Sequence, residues 1–393
     1  MGYLRRVFQP FVDVGAVRWI ALSSIILFAK WSYTISLFAL CAMLGAYFLI
    51  YARSIAYRLP YKFSPGEHSV ECGGYAVNGK HVLVTGASAG LGTCMSRLSI
   101  YRGARRVTLM ARQEAPLEVV QKQLLEAAQK ESCNVSIQIV TVDIQNPTDV
   151  ERAFRCARDG KGSLVATGDA EKDTALPIDF LVCNAGVAYP LEFENLSDSQ
   201  IHTMIHTNLC GTIYCIRQVV AEMKERRSGA ILLVSSEAAL CPVYGFSVYS
   251  ATKVAMQALA TSLDQELRFF NIFVASVLPP TMKTPGLTAE KKIMPKITLE
   301  IEATTTLVDP ILVGSHIFES MRRGRRFISF GYIGYSLAMF AGGFAPVNNY
   351  YDFLIQVCGS GILRLVALFL SSSWFKIIQS NLENKALTQD EKK

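Results

Sequence analysis

Charge is scarce in this sequence. Asp, Glu, Lys and Arg make up 18% of its 393 residues, against about 25% in ordinary soluble domains, which argues against a wholly water-solvated chain. There is no Cys-x-x-Cys pair among the ten cysteines, and none of the five histidines belongs to a cluster at metal-ligand spacing, so no metal centre is expected. The cysteines are scattered, several within apolar runs such as Phe180-Leu181-Val182-Cys183. Reduced, buried thiols in a cytosolic domain are therefore expected in place of a disulfide framework. The net charge of +7 is not arranged as a basic stripe interleaved with aromatics, so no nucleic-acid partner is expected. Two glycosylation triplets, at Asn134 and Asn195, are of a kind chance supplies and would stay unmodified in a cytosolic domain.

What the chain has in abundance is apolar surface, with a mean hydropathy of +0.27. Residues 31–51 carry no charge, a length matching the roughly 20 residues with which a helix crosses a bilayer. Lys30 precedes this run, Arg53 and Arg58 follow it, and Trp31, Tyr33, Tyr47 and Tyr51 suit interfacial belts. The run is too long and starts too far from Met1 for a cleaved signal peptide, so residues 1–60 read as an N-terminal transmembrane anchor. A second apolar run at 19–29 admits a helical hairpin bent near Lys30, and basic residues at both ends leave its orientation open.

Residues 331–380 are apolar again. The stretch 327–351 carries no charge but is Gly-rich and broken by Pro346, and 353–378 has helical length but contains Arg364. Membrane-associated C-terminal helices, spanning or lying in the interface, are expected. Clusters such as Arg322-Arg323-Gly324-Arg325-Arg326 beside these runs suit anionic lipid headgroups. Residues 381–393 read as a polar tail without regular structure.

Within 61–330 the pattern changes to short apolar strands alternating with amphipathic helices. Strands are expected at 81–85, 106–110, 136–142, 179–183, 230–235, 272–278 and 326–330, and helices such as 197–226 and 247–269 can cross back over a parallel sheet. This alternation predicts an α/β domain of Rossmann type, a doubly wound, seven-stranded parallel sheet. The Gly- and charge-rich segment 159–175 reads as a surface insertion.

The first strand runs directly into Thr85-Gly86-Ala87-Ser88-Ala89-Gly90-Leu91-Gly92, with a helical pattern behind it. Glycines let the chain turn tightly and bring its amides against a pyrophosphate, and the helix N-terminus adds its dipole and free N–H groups. Gly86, Ser88, Ala89, Gly90, Leu91 and Gly92 are therefore the candidate dinucleotide loop. Arg112 closes the second strand, where a carboxylate would hold the 2′-hydroxyl of NAD. A cation there suits a 2′-phosphate, so NADPH is the expected cofactor.

Tyr249-Ser250-Ala251-Thr252-Lys253 lies in a helical pattern, and a spacing of four places phenol and ammonium on one face. Carbonyl reduction needs a proton donor beside the oxygen, and a nearby cation is expected to pull the tyrosine below its usual value near 10. Such pairs are common on amphipathic helices. Here Ser236 ends the fifth strand thirteen residues earlier, and Asn208 follows the fourth. In an open parallel sheet these strand ends meet along one edge.

The TGxxxGxG loop, Ser236, Tyr249 and Lys253 together resemble the short-chain dehydrogenase/reductase family. The resemblance implies that Ser236, Tyr249, Lys253 and Asn208 form the catalytic tetrad, Asn208 keeping a water in the proton relay. It implies cofactor contacts from Asp143 and Ile144 after the third strand, from Asn184-Ala185-Gly186 after the fourth, and from Pro279 and Thr281, with Tyr249 and Lys253 also reaching the cofactor. Pro280 stands where much of the family has glycine, which stiffens the backbone there, and residues 279–302 are expected to cover the substrate.

Within that family, several runs resemble the 3-ketodihydrosphingosine reductases: residues 223–236, Gly245-Phe246, Thr284-Pro285-Gly286, Ile301-Glu302-Ala303-Thr304-Thr305, Ala345-Pro346-Val347 and residues 363–369. This implies reduction of 3-ketodihydrosphingosine by NADPH at the cytosolic face of the endoplasmic reticulum membrane, with the bilayer as a partner. A homo-oligomer is admitted. A membrane-bound retinal or steroid ketone reductase shares every catalytic motif, and a non-catalytic NADPH-binding membrane protein shares the loop; both readings stay open at this stage.

Overall fold

Predominantly apolar strands, buried on both faces, pair in parallel and need helices on each side. That is the architecture of the computed structural model, which describes residues 77–168, 175–341, 347–348 and 350–390. The N-terminal anchor expected at 1–60 lies outside the described residues.

Strand β1 (His81–Thr85) leads to helix α1 (Gly90–Tyr101), then β2 (Arg106–Ala111), α2 (Glu114–Lys130), β3 (Ser136–Thr141) and α3 (Pro147–Asp159). The Asn146 side chain caps α3 by accepting from the backbone N–H groups of Thr148 and Asp149, and Gly160 ends it in the left-handed region. After β4 (Ser163–Ala166) and β5 (Phe180–Cys183) come α4 (Asp198–Ile205), a π-turn at His206–Cys210, α5 (Gly211–Arg226), β6 (Gly229–Val234), α6 (Ser247–Leu267) and β7 (Ile272–Leu278). Two short helices, α7 (Pro285–Glu290) and α8 (Lys296–Glu302), precede α9 (Pro310–Arg322) and β8 (Phe327–Ser329).

The strands form one eight-stranded sheet in the order β4-β3-β2-β1-β5-β6-β7-β8. The expectation of seven strands is corrected by β4, which lies inside the segment read as an insertion and pairs antiparallel with β3, Ile137 opposite Val165. A strand of four residues, flanked by Gly162 and Gly168, leaves no period for a sequence pattern to reveal. All other pairings are parallel. Alternate residues along β1 feed two cores: Val82 and Val84 join Leu109, Leu117 and Phe318 on one face, while Leu83 joins Phe154, Leu181 and Met256 on the other. The chain reverses its direction of travel across the sheet between β1 and β5, the place where an open α/β sheet leaves a crevice.

Beyond the sheet, α10 (Gly331–Ala341) packs against its β8 edge, and the long α11 (Tyr350–Asp390) packs against α10 and α8. Asn348 ties the connection down, accepting from the Arg326 N–H and donating to the Phe327 carbonyl at 3.0 Å each, and the Tyr335 hydroxyl donates to Asp352 at 2.7 Å. Residues 354–383 of α11 are long and apolar enough to cross a membrane. The Arg364 guanidinium inside that stretch lies 5.5 Å from the centroid of the Phe340 ring, a contact that partly satisfies its charge. The tail was expected to lack regular structure from 381, but the helix continues to Asp390; the side-chain amide of Asn381 donates to Glu300 at 2.7 Å.

A polar ladder crosses the core beneath these strands. His81 Nε2 lies 2.8 Å from the Thr108 hydroxyl, which donates to Gln138 at 2.7 Å, and Gln138 donates on to the Lys161 carbonyl at 2.7 Å. Burial, and then the Arg106 cation, push the His81 imidazole from 6.5 down to about 4. Between those values the unfolded chain takes up a proton that the folded chain refuses, so stability falls with falling pH; above 6.5 both states are neutral and the effect vanishes. Urea unfolding across this range should show the wild-type chain losing up to about 1.4 kcal/mol per pH unit relative to His81→Gln. Parallel pH dependences in the two proteins would contradict it.

Candidate active site

Where β1 ends, Gly86 turns with φ +65° and Gly90 with φ +59°, the left-handed region that side chains disfavour. Space is as restrictive as torsion. A Cβ on Gly86 would sit 2.7 Å from the Ala185 Cα, and one on Gly92 would sit 2.2 Å from the Gly86 carbonyl oxygen. The loop therefore folds down onto its own helix and onto the residues after β5. Asn184 braces it, donating to the carbonyls of Thr85 at 3.1 Å and Gly86 at 3.0 Å. Ala89 starts α1 without a side-chain cap, so the helix's leading N–H groups face the crevice unclaimed by a capping side chain, as an anionic pyrophosphate requires.

Two hollows flank this loop. The smaller, about 240 Å³, is lined by Arg112, Asp143, Ile144, Ser88 and Gly186 among others. The larger, about 770 Å³, is lined by Gly86, Ser88, Ala89, Gly90, Leu91, Asn184, Ala185, Gly186, Ser236, Tyr249, Lys253, Pro279 and Thr281. Of the site residues expected from the sequence, only Gly92 and Asn208 line neither hollow. Gly92 underlies the loop. Asn208 is fully buried in the π-turn that interrupts the helix expected over 197–226. Its side-chain amide is fully engaged: it accepts from the Val187 N–H at 2.8 Å and donates to the Val187 carbonyl and the Thr252 hydroxyl at 3.0 Å each. Asn208 thus holds the loop after β5 against α6. A Cβ on Gly186 would approach both Asn208 Oδ1 and Lys253 Nζ to 3.3 Å.

Tyr249 and Lys253 share one face of α6, with Lys253 Nζ 5.6 Å from the centroid of the Tyr249 ring and donating to the Val234 carbonyl at 3.0 Å. Ser236, at the end of β6, accepts from the Ala238 N–H at 3.1 Å and hydrogen-bonds Tyr249. Contrary to expectation, the Tyr249 phenol is pushed up to about 12 instead of being pulled down. Burial is the main cause, the Glu290 carboxylate adds to it, and the Ser236 hydrogen bond opposes it. Burial also depresses Lys253 to about 8, against the pull of Glu290. The lysine is thereby brought close to neutral pH, whereas the tyrosine stays firmly protonated.

Three carboxylates in the larger hollow were not singled out from sequence: Glu237, Glu290 and Glu302. Burial raises Glu237 and Glu290 to about 7, with Glu302 adding to the rise at Glu290, and burial raises Glu302 as well. Glutamate within a covering loop is unremarkable until folding brings α7 and α8 over Tyr249. The hollow's far wall is apolar and comes from α10 and α11, through Tyr332, Ile333, Phe340, Val366, Leu370 and Trp374. The arrangement can hold a carbonyl oxygen against two hydroxyls at one end and a long apolar group at the other.

The family profile described as short chain dehydrogenase matches residues 80–294. The chain is 33% identical over 314 residues to the 3-ketodihydrosphingosine reductase of Mus musculus, covering 79% of this chain and 89% of that protein. It is 32% identical over 304 residues to the 3-dehydrosphinganine reductase of Danio rerio, covering 77% and 86%. Its fold is like that of a short-chain dehydrogenase from Sphingobium yanoikuyae solved in complex with NADPH, with a TM-score of 0.53 at 21% identity over 63% of this chain and 87% of that one. With its glycine turn, its Tyr–Lys helix and this match over more than half its length, the chain belongs to the short-chain dehydrogenase family.

Proposed function

We propose that this protein reduces the 3-keto group of 3-ketodihydrosphingosine to an alcohol with NADPH, a step of sphingolipid synthesis. The observation that carries the reading is the continuity of the larger hollow, from Ser236 and Tyr249 to the apolar wall of α10 and α11. A single-chain lipid ketone needs both ends. The relatives named above as 3-ketodihydrosphingosine and 3-dehydrosphinganine reductases support the same substrate.

Bound NADPH supplies the hydride that the carbonyl carbon receives. The Tyr249 hydroxyl, kept protonated by burial, donates its proton to the carbonyl oxygen, and Ser236 orients that oxygen. Lys253 grips the nicotinamide ribose and, with its ammonium near 8, resupplies the proton. Asn208 positions Lys253 and Gly186 through its bonds to Val187 and Thr252. The loop residues Gly86, Ser88, Ala89, Gly90 and Leu91 hold the pyrophosphate; Asp143 and Ile144 flank the adenine; Ala185, Pro279 and Thr281 line the nicotinamide side; and Arg112 pairs with the 2′-phosphate. The catalytic domain spans 61–330 and works at the cytosolic face of the endoplasmic reticulum membrane, tethered by residues 1–60 and by the apolar helices of 331–380. A tether lets the substrate's alkyl chain stay in lipid while its polar end reaches the sheet edge.

The purified chain in detergent, supplied with NADPH, should turn over 3-ketodihydrosphingosine far faster than retinal or steroid ketones. Turnover confined to the latter would overturn the assignment. Replacing Arg112 with alanine removes a charge-assisted contact worth about 1.5–3 kcal/mol, so NADPH should bind roughly ten- to a hundredfold more weakly while NADH binding changes little. Equal losses for the two cofactors would rule out the 2′-phosphate role.

A further inference from the structure

Once the ketone is placed, the position of the substrate's amine follows. In a 2-amino-3-ketone the ammonium stands on the carbon next to the carbonyl, within about 3 Å of the carbonyl oxygen by ordinary covalent geometry. Whatever holds that oxygen against Ser236 and Tyr249 also confines the ammonium to the same end of the hollow. A cation entering a half-buried, largely apolar cavity needs an anionic partner there, because desolvation without one is costly.

Glu290 is placed to be that partner. It closes α7, lines the hollow, and acts electrostatically on both Tyr249 and Lys253. Its carboxylate makes no hydrogen bond or ion pair with any described residue. Glu302, at the end of α8, stands behind it and shares the hollow; it takes a hydrogen bond from Thr281, yet its Oε2 is buried with no hydrogen-bond partner among the described residues. Glu237 also lines the hollow but is aimed elsewhere. Its Oε1 lies 2.3 Å from where a Cβ on Gly334 would be, towards α10, and neither Tyr249 nor Lys253 feels its charge.

Resting on the substrate reading above, we infer that Glu290, backed by Glu302, is the specificity-determining residue that recognises the ammonium group beside the ketone. It selects long-chain aminoketones over amine-free ketones of the same length. Burial raises both carboxylates, with Glu302 adding to the rise at Glu290, and an incoming ammonium at that end opposes the shift. Lys291 acts on Glu302 and Lys253 on Glu290, but Glu290 alone of the two acts on both Tyr249 and Lys253, which makes it the carboxylate nearer the reacting end.

The test compares two substrates in one enzyme. The full-length chain in detergent, with NADPH, is assayed on 3-ketodihydrosphingosine and on the same hydroxyketone chain lacking the amine. Because Glu290 also raises Tyr249 and Lys253, its loss affects the chemistry on any ketone, but that effect cancels in the ratio of the two kcat/KM values. The wild-type chain should favour the aminoketone. Glu290→Gln should cut the ratio roughly ten- to a hundredfold, as expected for a lost charge-assisted bond, and mainly through KM. Glu290→Asp should retain a large part of it. NADPH-dependent thermal stabilisation confirms that each variant is folded. An unchanged ratio in Glu290→Gln, or a wild-type chain indifferent to the amine, would overturn the inference while leaving ketone reduction intact. Turnover of neither ketone by the wild-type chain would overturn the underlying substrate reading, and the amine subsite with it.

Discussion

The backbone of Gly86 lies so close to Ala185 that a Cβ would come within 2.7 Å of the Ala185 Cα, and the rest of the site depends on this approach. It brings the ends of β1 and β5 level at the point where the sheet reverses its winding. The Asn184 amide can then bond back to Thr85 and Gly86, and Gly186 can pass between Asn208 and Lys253. A side chain at Gly86 would separate the two loops and the cofactor crevice together with the lysine's setting. The strands themselves are buried on both faces, so polar chemistry is confined to this edge.

Burial sets the electrostatics of that edge more strongly than the proximity of opposite charges does. It keeps the Tyr249 phenol protonated at about 12 and brings Lys253 down to about 8. A nearby lysine cation favours the phenolate, but desolvation disfavours every charged form and is the larger effect at Tyr249. Inside this hollow both groups shift toward their neutral forms, and carboxylates on α7 and α8 push the phenol in the same direction. The apolar wall contributed by α10 and α11 extends that dry environment toward a helix long enough to cross a membrane.

Most of the sheet was legible in the sequence because its long strands are predominantly apolar stretches between turns, as in the Ile272–Leu278 strand, buried throughout. The edge strand Ser163–Ala166 was not, since half-exposed positions beside one neighbour carry no pattern. The π-turn at Asn208 was also hidden: one extra residue in a helical turn barely disturbs an apolar period. The Gly loop, Ser236, Tyr249 and Lys253 were readable because their spacing is local. The direction of the Tyr249 shift and the place of Glu290 were not, because the first is set mainly by burial and the second by a helix that reaches the tyrosine only through the fold. The helical course of residues 381–390 was missed for a simpler reason, polar composition having been taken for lack of structure.

In the function proposed above, the Tyr249 cavity reduces a lipid ketone by direct hydride transfer, with protonation from the tyrosine. NADPH carrying deuterium at the reactive C4 position, incubated with the purified chain and 3-ketodihydrosphingosine, tests it most directly by mass spectrometry of the product. One deuterium on the new carbinol carbon is expected from the wild-type chain, and none from Tyr249→Phe, which should still bind the cofactor. Product formed without deuterium, or labelled equally by the variant, would contradict the account.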